Sequence, residues 1–265
     1  DNICIRGIAA VAPEDVIENM EFAEKIGGRR AKKQVKLTGI SKRHVVVKGQ
    51  SASDMCCQAA EKLFDKLGWE RDSIRVLVFV TQSEDVKTPS TAMIAQKRLG
   101  IGEDCLAFDV NLGCSGFVSG LQIVSALLNN TGGKALLLCG DGKYYNAREC
   151  TSTDAMLFGD AGTATAIELK EDYPLLYAQK TDGTRHKMLT TALDGTMTMD
   201  GNGILLFSLN EVVDSIKEMK DHFRLEEGQI DYYVFHQAQK LIIDSMTSEC
   251  EIDPRKVLIS YEEYG

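Results

Sequence analysis

A cysteine in a glycine-flanked turn between a strand and a helix is the feature that most constrains the fold of this sequence. Residues 105–110 have the short apolar composition of a buried strand, and residues 118–128 form an apolar run of helical length. Residues 135–139 are typical of a second buried strand, so the sequence predicts a strand–helix–strand unit in a parallel sheet. Cys114 falls in the turn that joins the first strand to the helix.

This position would make the thiol of Cys114 reactive. A helix N-terminus offers unpaired N–H groups and a partial positive charge, and both favour the thiolate, which is the nucleophilic form of cysteine. The same N–H groups can hold the oxyanion that forms when a thioester carbonyl is attacked. The alternative is a structural cysteine, because free cysteine is among the most buried residue types. Position alone leaves both interpretations open.

His236 is the expected helper of a cysteine nucleophile, which needs a base or an electrostatic partner. Residues 231–235 predict a strand and residues 237–250 a helix, so His236 would lie at a strand end, as Cys114 does. Sites in α/β folds assemble at the carboxyl ends of strands. The alternative for a single histidine is a capping or core role.

Two further stretches predict the elements around this site. Residues 76–81 are a continuous run of β-branched and aromatic residues, which is typical of a strand buried on both faces. Residues 53–67 have helical periodicity, with Ser53 as the expected N-cap.

Composition excludes several classes of protein. The chain has 265 residues, of which 44% are hydrophobic and 26% charged, and no apolar run approaches the length of a membrane span. Its eight cysteines have neither zinc-site spacing nor the pattern of a secreted disulfide framework, and there is no N-terminal signal pattern. We therefore expect a reduced, cytoplasmic protein with no bound metal and no membrane segment.

The charge is unevenly distributed. The net charge of −9 argues against nucleic-acid binding. Residues 29–53 nevertheless contain eight basic residues and no acidic one, so the rest of the chain carries −17, because −9 less these eight positive charges is −17. The eight are Arg29, Arg30, Lys32, Lys33, Lys36, Lys42, Arg43 and Lys48. This basic segment predicts docking of an acidic partner, although a solvated loop is the commoner meaning of a charge run.

An internal sequence repeat predicts a duplicated fold. Residues 62–79 and 219–235 share a helix, a polar break and a strand, with Ile74, Val78 and Phe79 repeated at an offset of 156. The sequence therefore predicts two α/β halves, at residues 1–170 and 171–265. The second copy stops much sooner after its strand than the first, so we expect that residues of the second half are missing from this sequence.

The turn around Cys114, D-V-N-L-G-C-S-G-F at residues 109–117, resembles the active-site turn of β-ketoacyl-acyl-carrier-protein synthase III and its thiolase-like relatives. Four more stretches resemble the same family and occur in its order. They are Thr38-Gly39-Ile40 with Arg43-His44, Thr88-Pro89-Ser90, Leu157-Phe158-Gly159-Asp160-Ala161-Gly162, and Phe235-His236-Gln237-Ala238.

The resemblance implies a thiolase-like α/β fold of two duplicated halves packed as α-β-α-β-α layers. It implies that Cys114 is the nucleophile and that His236, in H-Q-A-Q where the family has H-Q-A-N, is the catalytic histidine. The family's third catalytic residue, an asparagine, would follow Tyr264-Gly265, and the family usually carries a longer loop at residues 181–200. Residues 159–162 would form a structural turn rather than a phosphate-binding loop.

The reaction implied by the resemblance is a decarboxylative condensation in fatty-acid or related biosynthesis. Cys114 would accept an acyl group from coenzyme A or a carrier protein, and a malonyl thioester on carrier protein would then lose carbon dioxide and attack it. No cofactor is needed, because coenzyme A or phosphopantetheine enters with the substrates. Lys33, Lys36 and Arg148 are the candidates to bind these groups, and the family implies a homodimer near Thr88-Pro89-Ser90.

Two departures weaken the case for an acetyl-CoA primer and favour docking of an acidic carrier protein or recognition through phosphates, and two alternative functions stay open beside the leading one. The family often has a tryptophan and an arginine to hold the coenzyme A adenine, where this sequence has Lys33 and Leu37. A hydroxymethylglutaryl-CoA-synthase-like or secondary-metabolite enzyme is one alternative, since Glu84 lies near the acid of such a synthase. The other is a non-catalytic partner subunit of a condensing enzyme.

Overall fold

A computed structural model describes residues 2–142, 153–192 and 196–265. The strands within these ranges belong to one five-stranded sheet and two small ladders. They are β1 (Asn2–Val11), β2 (Val16–Glu18), β3 (Lys42–His44), β4 (Ile74–Val80), β5 (Leu106–Val110), β6 (Lys134–Asp141), β7 (Ala161–Pro174), β8 (Leu189–Thr191) and β9 (Met197–Met199).

Helices cover the sheet and recur in the part of the chain that follows it. Within the same ranges they are α1 (Asn19–Ile26), α2 (Gly28–Thr38), α3 (Ala52–Leu67), α4 (Thr91–Arg98), α5 (Gly116–Thr131), α6 (Gly201–Phe207), α7 (Val213–Phe223), α8 (Lys240–Glu249) and α9 (Tyr261–Tyr264). A short π-helical segment at Ser208–Val212 joins α6 to α7.

The five-stranded sheet has the order β1-β7-β6-β4-β5. β4 is parallel to both β5 and β6, with Phe79 opposite Asp109 on one side and Leu138 on the other. β7 is antiparallel to β6 and to β1. The sequence therefore predicted the parallel centre of the sheet correctly.

The two faces of the sheet carry separate apolar cores. Leu77 and Phe79 of β4 pack toward α3 and α4, whereas Val76, Val78 and Val80 pack toward α5. All five side chains are buried, which confirms the prediction of a strand covered on both faces. The alternation follows from the period-2 geometry of a strand.

Helix α5 lies unusually close to the sheet. A Cβ at position 116 would overlap Cγ1 of Val80, and a Cβ at position 120 would lie 2.7 Å from Cδ1 of Leu137. Real Cβ atoms do not tolerate such contacts, so Gly116 and Gly120 let the helix axis approach the strands. This packing fixes the first turn of α5 at the carboxyl end of β4.

The N-terminus of α3 differs from the prediction. The helix begins after Ser51, whose hydroxyl accepts a hydrogen bond from the Asp54 amide while the Asp54 carboxylate accepts one from the Ser51 amide. This reciprocal arrangement is a capping box. Ser53 as N-cap was wrong, because its hydroxyl instead donates to the carboxylate of Asp85 at 2.6 Å.

A small layer of β2, β3, α1 and α2 packs beside the sheet around a fully buried arginine. The Nε atom of Arg43 donates to Oδ1 of Asn19 at 2.7 Å, and its Nη1 atom donates to the Phe158 carbonyl at 3.3 Å. The guanidinium also lies 5.2 Å from the centroid of the Phe22 ring. Arg43 therefore ties this layer to the stretch just before Gly159.

The polar break shared by residues 62–79 and 219–235 has the same local structure in both copies. Gly68 and Arg224, which are 156 positions apart, both end a helix in the left-handed conformation. The 3₁₀ turns Arg71–Ser73 and Glu227–Gln229 follow at the same offset. The strand expected after the second turn is reduced to one parallel bridge between Tyr233 and Val257. The division into halves at residues 170 and 171 stays a prediction.

None of the helices in the described ranges is long and apolar enough to cross a membrane.

Candidate active site

The nucleophile turn, defined here as residues 111–116, joins β5 to α5. Its backbone is closed by hydrogen bonds from the Leu112 amide to the Val110 carbonyl at 3.0 Å and from the Gly116 amide to the Gly113 carbonyl at 2.8 Å. Cys114 is exposed to solvent two residues before the helix begins. The predicted strand-to-helix turn around Cys114 is confirmed, and the positive end of the helix dipole lies next to the thiol.

His236 forms a side-chain hydrogen bond with Cys114. This bond is the largest influence on the pKa of the Cys114 thiol and lowers it, while desolvation acts in the opposite direction. The same bond raises the pKa of the His236 imidazole, again against desolvation. Each group therefore stabilises the charged form of the other, which favours a thiolate–imidazolium pair. The structure brings together the cysteine and histidine that the sequence singled out.

His236 reaches this position from an extended segment rather than from a helix end. The segment follows the Tyr233–Val257 bridge, and α8 begins only at Lys240, so the expectation of a helix from residue 237 was wrong. The side chain of Gln237 holds the segment: its Oε1 accepts from the Ser260 amide at 2.7 Å, and its Nε2 donates to the Leu258 carbonyl at 3.2 Å. Side-chain hydrogen bonds outside regular secondary structure leave no periodic signal in a sequence.

Asp109 anchors the strand that leads into the turn. Its carboxylate accepts hydrogen bonds from the amides of Thr91 and Ala92 at 2.6 and 2.7 Å, and these are the first two residues of α4. A carboxylate at a helix N-terminus satisfies otherwise unpaired N–H groups. The sequence did not predict this role, because Asp109 lies on β5 whereas the helix that it caps, α4, comes earlier in the chain.

Residues 159 and 160 lead directly into β7, and residues 161 and 162 begin that strand, so the segment is packed but is not the predicted turn. A Cβ at position 159 would overlap the carbonyl oxygen of Tyr264, and one at position 162 would lie 2.5 Å from Cβ of Met55. The carboxylate of the buried Asp160 accepts a hydrogen bond from the Val46 amide at 2.9 Å. These contacts fit the structural role that the sequence predicted rather than a phosphate-binding loop.

The segment after β4 lies beside the nucleophile turn. Gln82, an exposed residue, has its carboxamide 3.3–3.7 Å from the position of a Cβ on Gly113. Glu84 instead forms an ion pair with Lys87. The side chain closest to Gly113 on this side is therefore a neutral amide, whereas sequence comparison had pointed to Glu84.

Of the three side chains predicted to bind coenzyme A or phosphopantetheine, the structure describes two. Lys33 and Lys36 are exposed on α2, at the edge of a depression that Arg29 also lines. Lys32 pairs with Glu24 at 3.0 Å. Arg148 lies outside the described residues. Within the described ranges, no cluster of three His, Cys, Asp or Glu residues could hold a metal ion.

Comparisons with known proteins agree with this geometry. A family profile described as 3-oxoacyl-[acyl-carrier-protein] synthase III matches residues 108–183, and its C-terminal counterpart matches residues 221–265. The chain is 30% identical to the β-ketoacyl-[acyl-carrier-protein] synthase III of Hyphomonas neptunium, over 98% of this chain and 84% of that protein. It is 29% identical to the Acholeplasma laidlawii protein of the same name, over 96% of this chain and 82% of that protein.

Solved structures show the same similarity. The 3-oxoacyl-(acyl-carrier protein) synthase of Burkholderia xenovorans superposes with a TM-score of 0.90 at 27% identity, covering all of this chain and 82% of that one. The synthase III of Thermus thermophilus gives a TM-score of 0.88 at 26% identity, over 98% of this chain and 85% of that one.

The fold and the paired cysteine and histidine define a condensing acyltransferase of the thiolase-like class. More specifically, the chain belongs to the β-ketoacyl-acyl-carrier-protein synthase III family.

The hydrogen bond between Cys114 and His236 makes a prediction about thiol reactivity. Thiolate forms as the pH rises through the pKa, so a lowered pKa places the alkylation curve of Cys114 at lower pH than that of an ordinary cysteine. Replacing His236→Ala should move the curve to higher pH and slow alkylation at neutral pH, because the group that stabilises the thiolate is removed. The measurement is the pH dependence of iodoacetamide labelling of Cys114, located by peptide mass spectrometry.

The matched control is His222→Ala. The His222 ring makes an edge contact with Phe223, with ring centroids 4.7 Å apart, and belongs to α7. This variant should keep the wild-type labelling curve. An unchanged curve for His236→Ala would show that His236 does not set the reactivity of Cys114.

Proposed function

We propose that the enzyme performs a decarboxylative condensation in two stages, in fatty-acid or related biosynthesis, with Cys114 as nucleophile and His236 as its partner. The observation that carries this proposal is the hydrogen bond between the two side chains. A thiolate at the N-terminus of α5 can attack a thioester carbonyl without a further base, because the imidazolium already stabilises it.

In the first stage the Cys114 thiolate attacks the carbonyl carbon of an acyl thioester, carried by coenzyme A or a carrier protein. The bond from that carbon to the donor sulfur breaks, and the departing thiolate takes the proton of the His236 imidazolium. The enzyme is left as a thioester on Cys114 with a neutral His236. Backbone N–H groups at the nucleophile turn are suited to hold the oxyanion of this step.

In the second stage a malonyl thioester on carrier protein loses carbon dioxide. The electrons of the broken carbon–carbon bond form an enolate, whose oxygen accepts a hydrogen bond from the N–H of His236. The enolate carbon attacks the acyl carbon on Cys114. The β-ketoacyl thioester leaves, the Cys114 thiolate is restored, and a proton taken up from solvent returns His236 to the imidazolium form. Every step uses side chains and the substrates' own thioesters, so the chemistry requires no metal or redox group.

Two observations weigh against the alternatives. A synthase of the hydroxymethylglutaryl-CoA type uses an acid beside its cysteine, whereas Gln82 supplies an amide at Gly113 and Glu84 pairs with Lys87. An amide cannot take a proton at physiological pH. A non-catalytic partner subunit would not need the Cys114–His236 bond, which lowers the pKa of the thiol.

The covalent intermediate gives the most direct test. Incubation with acetyl-CoA, longer acyl-CoA donors or acylated carrier protein should add one acyl mass to the intact protein. The Cys114→Ala variant should gain none, because the attacking sulfur is removed. Intact-mass spectrometry measures both, and the donor that reacts fastest identifies the primer.

Cys4→Ala is the matched control for this test. Cys4 is a partly buried thiol of β1, so its loss should leave the adduct unchanged. A wild-type protein that gains no mass from any of these donors would overturn the proposed reaction.

We further propose that Lys33 and Lys36 bind the phosphates of the donor. Both are exposed, and they lie one turn apart on α2. Other cations of the basic segment are engaged, because Lys42 pairs with Glu263 at 2.5 Å and Arg43 is buried. A lysine ammonium suits a phosphate as a point charge. Arg148 remains a sequence-based candidate for the same task.

The double variant Lys33→Gln/Lys36→Gln should raise KM for the acyl donor and leave kcat nearly unchanged. Each exposed contact contributes up to about 1 kcal/mol, so the two together should raise KM by a few-fold and by at most about 30-fold. The increase should shrink at high salt, because surface charges are screened. Lys66→Gln, an exposed lysine at the end of α3, is the control. A KM equal to that of wild type at low salt would contradict the assignment.

We also propose that the protein forms a homodimer through the β5 edge of the sheet. β5 is the last strand in the order of the described residues, so its outer backbone groups can pair with another chain. Leu106 on β5 and Met93 on the neighbouring α4 are 48% and 51% exposed. This edge lies next to residues 88–90, where the family resemblance places the dimer contact.

Leu106→Lys should therefore convert a dimer into a monomer at micromolar concentration, because it places a charge in an apolar contact. Sedimentation or light scattering measures the mass. Ile8→Lys, at an apolar position 56% exposed on the opposite edge strand β1, should leave the dimer intact. A monomeric wild-type protein would contradict the proposed assembly.

A cytoplasmic location completes the proposal. The seven cysteines in the described part of the chain are all free thiols, as expected in a reducing compartment. Cell fractionation tests this location, and recovery from an oxidising compartment would contradict it.

A further inference from the structure

We propose that Asp141 is a positioning residue for acyl transfer, whose carboxylate holds residues 81–83 in place beside the nucleophile turn. This inference rests on the proposed function of Cys114 and extends it to a residue of another strand.

Asp141 is the last residue of β6, and one of its oxygen atoms gathers three donors from the neighbouring segment. Oδ1 accepts hydrogen bonds from the Gln82 amide at 2.7 Å, the Ser83 hydroxyl at 2.9 Å and the Thr81 hydroxyl at 3.2 Å. Hydrogen bonds to an ionised acceptor are about twice as strong as neutral ones. This set of bonds, the Asp141 clamp, holds the backbone at Gln82 and the side-chain hydroxyls of Thr81 and Ser83.

Two more hydrogen bonds close the clamp. The Ser83 amide donates to Oγ1 of Thr81 at 3.0 Å, and the Gly142 amide donates to Oγ of Ser83 at 3.0 Å. The polar groups of residues 81–83 are therefore connected to the end of β6 at several points. A segment held this way has little freedom to move relative to the sheet.

The clamped segment adjoins the nucleophile turn. The Oε1, Cδ and Nε2 atoms of Gln82 lie 3.3, 3.6 and 3.7 Å from the position of a Cβ on Gly113, the residue before Cys114. The backbone N–H of Gln82, not its side-chain carboxamide, forms the shortest of the three hydrogen bonds to Asp141. Displacement of Gln82 would thus open space on one side of the turn, and geometric errors near 1 Å can slow catalysis about a hundredfold.

The charge of Asp141 reaches the same turn with the opposite effect. Two titratable groups act on the Cys114 thiol: His236 lowers its pKa, and Asp141 raises it by like-charge repulsion. Burial is the main cause that raises the pKa of Cys56 on α3 and of Cys139 on β6, and the charge of Asp141 adds to both. A carboxylate whose only effect was on the pKa of Cys114 would therefore make the thiol less reactive. Its position is explained by the hydrogen bonds that it accepts.

Paired variants separate the hydrogen bonds from the charge. Asp141→Asn removes the charge and keeps an oxygen that can accept the three bonds, whereas Asp141→Ala removes both. Two rates are measured in each variant: acyl transfer from acetyl-CoA to Cys114 by intact mass, and the pH dependence of iodoacetamide labelling of Cys114. Glu171→Gln, at an exposed carboxylate of β7, is the control.

We expect both Asp141 variants to label faster than wild type below the labelling midpoint, by about threefold, because each removes a repelling charge. Acyl transfer should fall about tenfold or more in Asp141→Ala and much less in Asp141→Asn. Loss of structure alone would separate Cys114 from His236 and slow the labelling, so the faster labelling identifies a folded site with a misplaced segment.

Three results would overturn the inference: equal losses of acyl transfer in the two variants, wild-type acyl transfer in Asp141→Ala, or slower labelling in both. Ser83→Ala keeps the carboxylate and removes one donor, so it serves if Asp141→Ala does not fold. It should slow acyl transfer about twofold to threefold with an unchanged labelling curve, and a wild-type rate counts against the clamp. A wild-type protein that accepts no acyl group would refute the proposed function instead.

Discussion

The close approach of α5 to the sheet is the constraint on which the site depends. Gly116 and Gly120 allow this approach, because any side chain there would collide with Val80 or Leu137. The helix cannot move outward without opening the core beneath it. Its first turn, and with it Cys114, is therefore located by packing against β4 and β6 rather than by a flexible loop. A nucleophile placed this way needs no reorganisation to meet an incoming thioester.

The pair of Cys114 and His236 joins the most regular and the least regular parts of the fold. Cys114 follows a strand inside a five-stranded sheet, whereas His236 follows a single bridge between Tyr233 and Val257. The segment that carries His236 is held chiefly by the side-chain carboxamide of Gln237, instead of by a ladder of backbone hydrogen bonds. The shared hydrogen bond between Cys114 and His236 is consequently also a contact between distant parts of the sequence.

The sequence predicted the elements whose apolar residues follow the period of a strand or a helix. It did not predict the contacts between individual polar side chains. The period-2 burial of β4 and the turn at Cys114 could be read directly, because strand and helix periodicity are local properties. The true N-cap of α3, Ser51, and the clamp on Asp141 could not, since each depends on which of several nearby polar residues the tertiary structure turns inward. The basic segment was read as one surface, yet Arg43 within it is completely buried. His236 was identified through a motif rather than through the strand and helix expected around it.

The burial of Arg43 separates the scaffold from the chemistry in their response to acidity. Its guanidinium remains charged at any pH at which a protein is folded, and its partners Asn19 and Phe158 supply an amide and a carbonyl that do not titrate. These two hydrogen bonds of Arg43 therefore do not depend on the protonation of a partner side chain. Cys114 and His236, by contrast, are both titratable, and each shifts the pKa of the other. A change of pH can therefore alter the charge of the site while the two hydrogen bonds of Arg43 stay the same.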